Sequence, residues 1–175
     1  MVELFSTNLI SPQVLAALPA GFLVRPLSDN DFDKGFLTCL EMLTTIGPMT
    51  KAQFKDRFSY LKKHSHEYFT IVIEDTKKGV IVGAGTLLVE RKFVHLNGLV
   101  GHIEDIVTHK DYRGLNLGLR VIDTLKYIGL KTGCYKVDCS EKNVPFYVKC
   151  GFKQKEVEMV LYYDENDKAK ISSKL

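Results

Sequence analysis

Glu104-Asp105-Ile106-Val107, a short polar link, then Arg113-Gly114-Leu115-Asn116-Leu117-Gly118 and an apolar-periodic run constrain this chain more than any other stretch. The order reads as a buried strand, a loop and a helix start. Two glycines let the backbone approach a ligand closely, and the first turn of the helix aims unpaired N–H groups and a partial positive charge into the loop. The product is a cradle for an anion. Neither GxxxxGK(S/T) nor GxGxxG occurs, which sets aside the common nucleotide and dinucleotide fingerprints.

Around this segment the chain alternates strand and helix patterns. Residues 1–20 carry Pro12 and Pro19 without sustained periodicity and read as an extension whose order depends on docking. A first strand is expected at 21–27. Ser28 and Asp31 then make a capping-box-like start to a helix whose Phe32, Phe36, Leu40 and Leu43 form a core stripe, ended by Gly47-Pro48. Thr50 can cap a second helix with Phe54, Phe58 and Leu61 on one face. Residues 68–75 and 80–93 read as a hairpin about Lys77-Lys78-Gly79, and a further strand is expected at 100–107. The long helix from Gly118 places Val121, Leu125 and Ile128 at core spacing and stops near Gly133. A strand at 135–139, a short helix at 144–150 and a last strand within 152–163 complete a mixed α/β sheet, followed by a polar tail at 164–175. The domain is therefore expected to span 21–163.

With 175 residues the chain suits one domain and can bury roughly two-thirds of its unfolded surface. Its 24 Lys plus Arg against 21 Asp plus Glu give +3, scattered rather than striped, which gives nucleic-acid binding no support. Cys39, Cys134, Cys139 and Cys150 lack CxxC spacing and a His pair at metal spacing, so no metal is expected. Free thiols suit a reducing compartment, and the N-terminal segment, with Glu3 and with Pro19 breaking its apolar run, reads as neither signal peptide nor membrane span. A cytoplasmic protein is expected.

The 113–118 loop resembles the Arg/Gln-x-x-Gly-x-Gly/Ala loop of Gcn5-related N-acetyltransferases. Cys134 to Cys139, Ser140-Glu141-Lys142-Asn143 and Phe146 to Phe152 resemble the second half of that superfamily's domain. More narrowly, Leu43-Thr44-Thr45-Ile46-Gly47, Glu90-Arg91-Lys92-Phe93 with His95, and Gly101-His102-Ile103-Glu104-Asp105 resemble the eukaryotic glucosamine-6-phosphate N-acetyltransferases. The resemblance runs over about residues 21–163. It implies the acetyltransferase fold, with a splayed central sheet flanked by helices and the cofactor's pantetheine lying in the gap between the fourth and fifth strands. It also implies a homodimer that acetylates glucosamine 6-phosphate from acetyl-CoA by direct attack, on the route to UDP-N-acetylglucosamine. Two alternatives stay open: a related enzyme acting on another small amine or a protein residue, and a non-catalytic acetyl-CoA sensor.

Site residues follow from the resemblance position by position. Asp138 becomes the candidate base and Tyr147 the candidate acid for the leaving thiolate. On residues alone, Asp138 could cap the loop after its strand and Tyr147 could be packed between Phe146 and Phe152. Ile106, Val107, the loop from Arg113 through Gly114, Leu115, Asn116, Leu117 and Gly118 to Leu119, and Asn143 are the expected cofactor contacts. Asn143 is equally readable as a helix cap before Pro145. Thr44, Lys92, His95, Glu104 and Asp105 are the expected sugar and phosphate contacts, and strand alternation predicts that Glu104 and Asp105 face opposite ways. Two positions depart from the pattern. Asn116 stands where many relatives have Gly, and Asn tolerates left-handed backbone. Tyr162 stands where the family has an Arg that reaches across the dimer to the sugar phosphate, and is carried here as a substrate contact.

Overall fold

The computed structural model describes residues 1–139 and 143–155. They fall into two compact units, divided after Cys139. The first holds a five-stranded sheet in sequential order, β1 (Phe22–Pro26), β2 (Tyr68–Asp75), β3 (Val80–Arg91), β4 (Leu99–Thr108) and β5 (Cys134–Cys139). Strands β1 to β4 pair antiparallel and β5 pairs parallel to β4. Parallel neighbours need a crossover, and α5 (Leu117–Thr132) supplies it.

The β-branched run Ile71-Val72-Ile73 makes β2 buried on both faces, as a central strand must be. Leu117, Val121, Ile122, Leu125 and Ile128 of α5 are also buried, and each such side chain contributes about 1.5–3 kcal/mol. The helix sits close to the sheet because Gly85 of β3 has no side chain. A Cβ there would stand 2.5 Å from Ile106 Cδ1 and 2.6 Å from Val121 Cγ1. α5 ends where Gly133 takes φ 90°, as the sequence predicts.

The N-terminal segment is docked. Leu4 N–H donates to Leu27 O at 2.8 Å, α1 (Pro12–Ala16) follows its Ser11 cap, and Leu4, Phe5, Ile10 and Val14 are buried. The helix expected from Ser28 to Gly47 is not continuous. Only α2 (Phe36–Leu40) forms: Asp31 takes the Ser28 N–H as a capping box would, but its carboxylate is also held by Arg25, and Gly35 is left-handed at φ 78°. Leu43, expected in the core stripe, is consequently exposed. α3 (Lys51–Lys63) starts from a complete capping box between Thr50 and Gln53. α4 (Val94–Asn97) is a single turn whose His95 and Leu96 are left-handed.

The second unit contains α6 (Val144–Lys149), closed by Gly151 at φ 89°. Tyr147 packs against Phe146 and Phe152, with ring centroids 5.3 and 5.7 Å apart. Most of the expected last strand, Tyr162 and the polar tail lie outside the described residues. No helix among the described residues is long and apolar enough to cross a membrane, and no cluster of three His, Cys, Asp or Glu there could hold a metal.

Candidate functional site

The β3–β4 register sets the first feature of the site. Ala84 pairs with Val107 and Thr86 with Glu104, so β4 carries one extra residue opposite Gly85. This is a bulge, and Asp105 within it is left-handed at φ 55°. The bulge interrupts strand alternation, and Glu104 and Asp105 are both exposed. Among the described residues β4 pairs with β5 from Leu99–Cys134 to Ile103–Cys139, and β4 runs on through Thr108. Among the described elements, residues 104–108 therefore have strand neighbours only on the β3 side. No described strand covers the other side of Ile106 and Val107, the edge on which an extended ligand would hydrogen-bond.

The anion cradle lies at the end of the same strand. Tyr112, next to Arg113, is pinned by its O–H donating to Asp75 Oδ2 at 3.0 Å, by Lys78 Nζ at 3.1 Å, and by an edge contact to Phe22. Hydrogen bonds from the Lys78 N–H, the Tyr112 O–H and the Lys77 N–H outweigh the effect of burial and hold the Asp75 carboxyl below its ordinary value. Beyond this anchor Gly114 takes φ 84°, and Asn116 is the left-handed residue that begins α5, at φ 57° and ψ 22°. Asn there is tolerated, as expected of a short polar side chain. Its side chain places no oxygen on the first-turn N–H groups of α5, which leaves the helix start open to an external acceptor. Leu117 plugs the core while residues 113–116 are exposed. The loop thus has the conformation, the donors and the access that a pyrophosphate needs.

A ladder of alternating charge crosses the sheet face turned away from α5. Val137 lies against Gly129 of α5 and over Gly101, so His102, Lys136 and Asp138 point to the other face. His102 and Asp138 are register partners on β4 and β5. His102 Nδ1 lies 2.7 Å from Asp138 Oδ1, and Nε2 lies 3.0 Å from Glu90 Oε2. Lys92 Nζ closes one end on Glu90 Oε2 at 2.7 Å, and Lys136 Nζ closes the other on Asp138 Oδ2 at 3.1 Å. Burial disfavours the charged ring of His102, but the bond to Glu90 and the charge and bond of Asp138 outweigh it and hold His102 above its ordinary value. Hydrogen bonds from Lys92 and His102 hold Glu90 below its own.

The structure therefore brings Lys92 and Asp138 onto one network, joined through Glu90 and His102, to which the sequence motifs assign no role. Their signal is the register between strands, invisible in a linear sequence. His95 is exposed and its ring lies 4.7 Å from that of Tyr135. Thr44 is exposed after α2, its N–H on Leu40 O at 3.3 Å. Asn143 is the N-cap of α6 with Pro145 in its first turn, as the residues alone suggest, but its side chain makes no cap hydrogen bond to the helix. Tyr147 belongs to the second unit with it.

Residues 36–152 match the acetyltransferase (GNAT) family. The chain is similar to glucosamine 6-phosphate N-acetyltransferase 1 of Dictyostelium discoideum, 52% identical over 144 residues, which cover 81% of this chain and 91% of that protein. A glucosamine 6-phosphate N-acetyltransferase of Candida albicans is 40% identical, over 82% of this chain and 97% of its own. Among solved structures, glucosamine-6-phosphate N-acetyltransferase from Arabidopsis thaliana matches with TM-score 0.79 and 38% identity, covering 82% of this chain and 99% of that one.

Proposed function

This chain belongs to the acetyltransferase (GNAT) family, and we propose that it transfers the acetyl group of acetyl-CoA to the amine of D-glucosamine 6-phosphate, giving N-acetylglucosamine 6-phosphate and CoA on the route to UDP-N-acetylglucosamine. The observation that carries the reading is the placement, on one strand and its successor, of an open helix-start cradle, a bulged β4 edge and the Asp138 ladder. The named relatives supply the sugar.

Acetyl-CoA, when bound, supplies an acetyl thioester. Residues 113–118 would hold its pyrophosphate by main-chain N–H groups, and the edge beside Ile106 and Val107, with Leu119 and Asn143, would hold the rest. Asp138 accepts a hydrogen bond from the sugar amine and takes its proton as the new N–C bond forms. The Asp138 carboxylate keeps lone pairs for this beyond those used by His102 and Lys136. Backbone carbonyls at the Glu104–Asp105 bulge orient the amine and hydroxyls, while Tyr147 donates its phenolic proton to the departing sulfur as the C–S bond breaks. Lys92, His95 and Thr44 supply charge and hydrogen bonds toward the sugar phosphate, with Tyr162 as a further donor. A homodimer in which the C-terminal strand reaches the partner's site, working in the cytoplasm, completes the reading.

The test is thiol release from acetyl-CoA across a panel of amines, with and without the 6-phosphate. Glucosamine 6-phosphate should give the highest kcat/KM. Equal values for glucosamine and its phosphate, or a preference for a peptide amine, would overturn the substrate assignment.

A further inference from the structure

The charge ladder does more than decorate a sheet. An ionised carboxylate has no proton to give, so a histidine whose two ring nitrogens both meet carboxylate oxygens must donate from both. Nδ1 faces Asp138 Oδ1 at 2.7 Å and Nε2 faces Glu90 Oε2 at 3.0 Å, so the geometry is that of an imidazolium clamped between two carboxylates. The order across three strands is Lys92 (+), Glu90 (−), His102 (+), Asp138 (−), Lys136 (+).

We propose that His102 is a positioning residue of this acetyltransferase site: it fixes the Asp138 carboxylate against the amine and ties it to the Glu90–Lys92 pair on the phosphate side. The inference rests on the function proposed above for its kinetic consequence, though the clamp itself does not. Asp138 is paired with His102 in the β4–β5 ladder, which fixes its backbone but not the rotation of its side chain. A bond to the rigid imidazole on one oxygen and to Lys136 on the other leaves that carboxylate little rotational freedom. Orientation of this kind matters for rate, because about 1 Å of misplacement can cost on the order of 100-fold. The groups facing the ring are Glu90 and Lys92 from the β3 side and Asp138 and Lys136 from β5, with Glu104 and Asp105 farther along its own strand.

Two variants and one spectroscopic readout test this. His102→Phe keeps a planar ring but removes both donors, whereas His102→Asn returns an amide N–H near the place of Nδ1 and no charge. With glucosamine 6-phosphate, His102→Phe should lower kcat about 10- to 100-fold with little change in acetyl-CoA affinity, and His102→Asn should recover most of the loss. By 15N NMR on the wild-type protein, both ring nitrogens should carry protons at neutral pH and titrate above the ordinary histidine value of 6.5. Asp138→Asn should lower that titration point. Wild-type kcat in a folded His102→Phe protein, equal losses in both variants, or a neutral ring at pH 7 would overturn the proposal. An inactive wild-type enzyme with the clamp intact by NMR would instead overturn the substrate reading.

Discussion

A phenol beside a leaving thiolate has little to do until the C–S bond begins to break, so its removal should be felt in the transition state and hardly in binding. Tyr147→Phe is therefore expected to lower kcat by about 10- to 1,000-fold while acetyl-CoA affinity stays close to wild type. Unaltered kcat, with chemistry shown to be rate-limiting, would reduce Tyr147 to its packing role between Phe146 and Phe152. Asp138→Asn should behave differently. Its loss should be severe at neutral pH and partly recovered at alkaline pH, where the amine is already free; full activity at pH 7 would exclude Asp138 as the base. Both residues are proposed from linear motifs that resemble the family's. Glu90 and Lys136 carry no signal in the linear sequence, since a charged residue on a strand reads as a solvated surface until the register shows what stands beside it. Tyr112 was missed for a related reason, as its partner Asp75 is remote in sequence.

At the scale of elements, the cradle was readable because glycine, Asn116 and a helix start have local conformational meaning, and the structure gives each the backbone it predicts. The bulge at Asp105 was not readable from alternation, because an added residue in one strand leaves no mark unless the partner strand is known. The break in the helix after β1 is not visible in the sequence, because Asp31 takes the Ser28 N–H as a capping box would, while its hold on Arg25 and the left-handed Gly35 keep the helix from running on. A side chain at Gly118 should narrow the approach to the N–H groups of the first turn of α5. Gly118→Val is expected to weaken acetyl-CoA binding about 10- to 100-fold, the loss of one or more hydrogen bonds to a charged group, without unfolding the sheet. Calorimetric titration with acetyl-CoA decides this, and unchanged affinity would remove the loop from the cofactor site.

Over the whole sheet-bearing unit, the strands and the long crossover helix follow from sequence pattern, but what locks the β1 side of the sheet does not. Buried Arg25 binds both oxygens of Asp31, at 2.7 and 2.8 Å, and Glu74 Oε2 at 2.7 and 2.9 Å, while Lys34 binds Glu74 Oε1 at 2.7 Å. Such a network is costly to assemble and costlier to break, because a lost partner leaves a charge buried and unpaired, at roughly 3–5 kcal/mol. Burial alone would raise the Glu74 carboxyl, yet its bonds to Lys34 and Arg25 win and hold it below its ordinary value of 4.5. A carboxyl lowered on folding stabilises fully above its unfolded value and ceases to do so as pH falls through the folded one. Glu74→Gln is an isostere of the protonated side chain. The variant should therefore be clearly less stable than wild type at pH 7, and the difference should shrink as the pH is taken below about 4.5, because wild type converges on what the variant already is. Urea denaturation at a series of pH values checks it: two stability curves that stay parallel from pH 7 down to acid would mean that Glu74 carries no linked charge, and that the sheet is held there by packing alone.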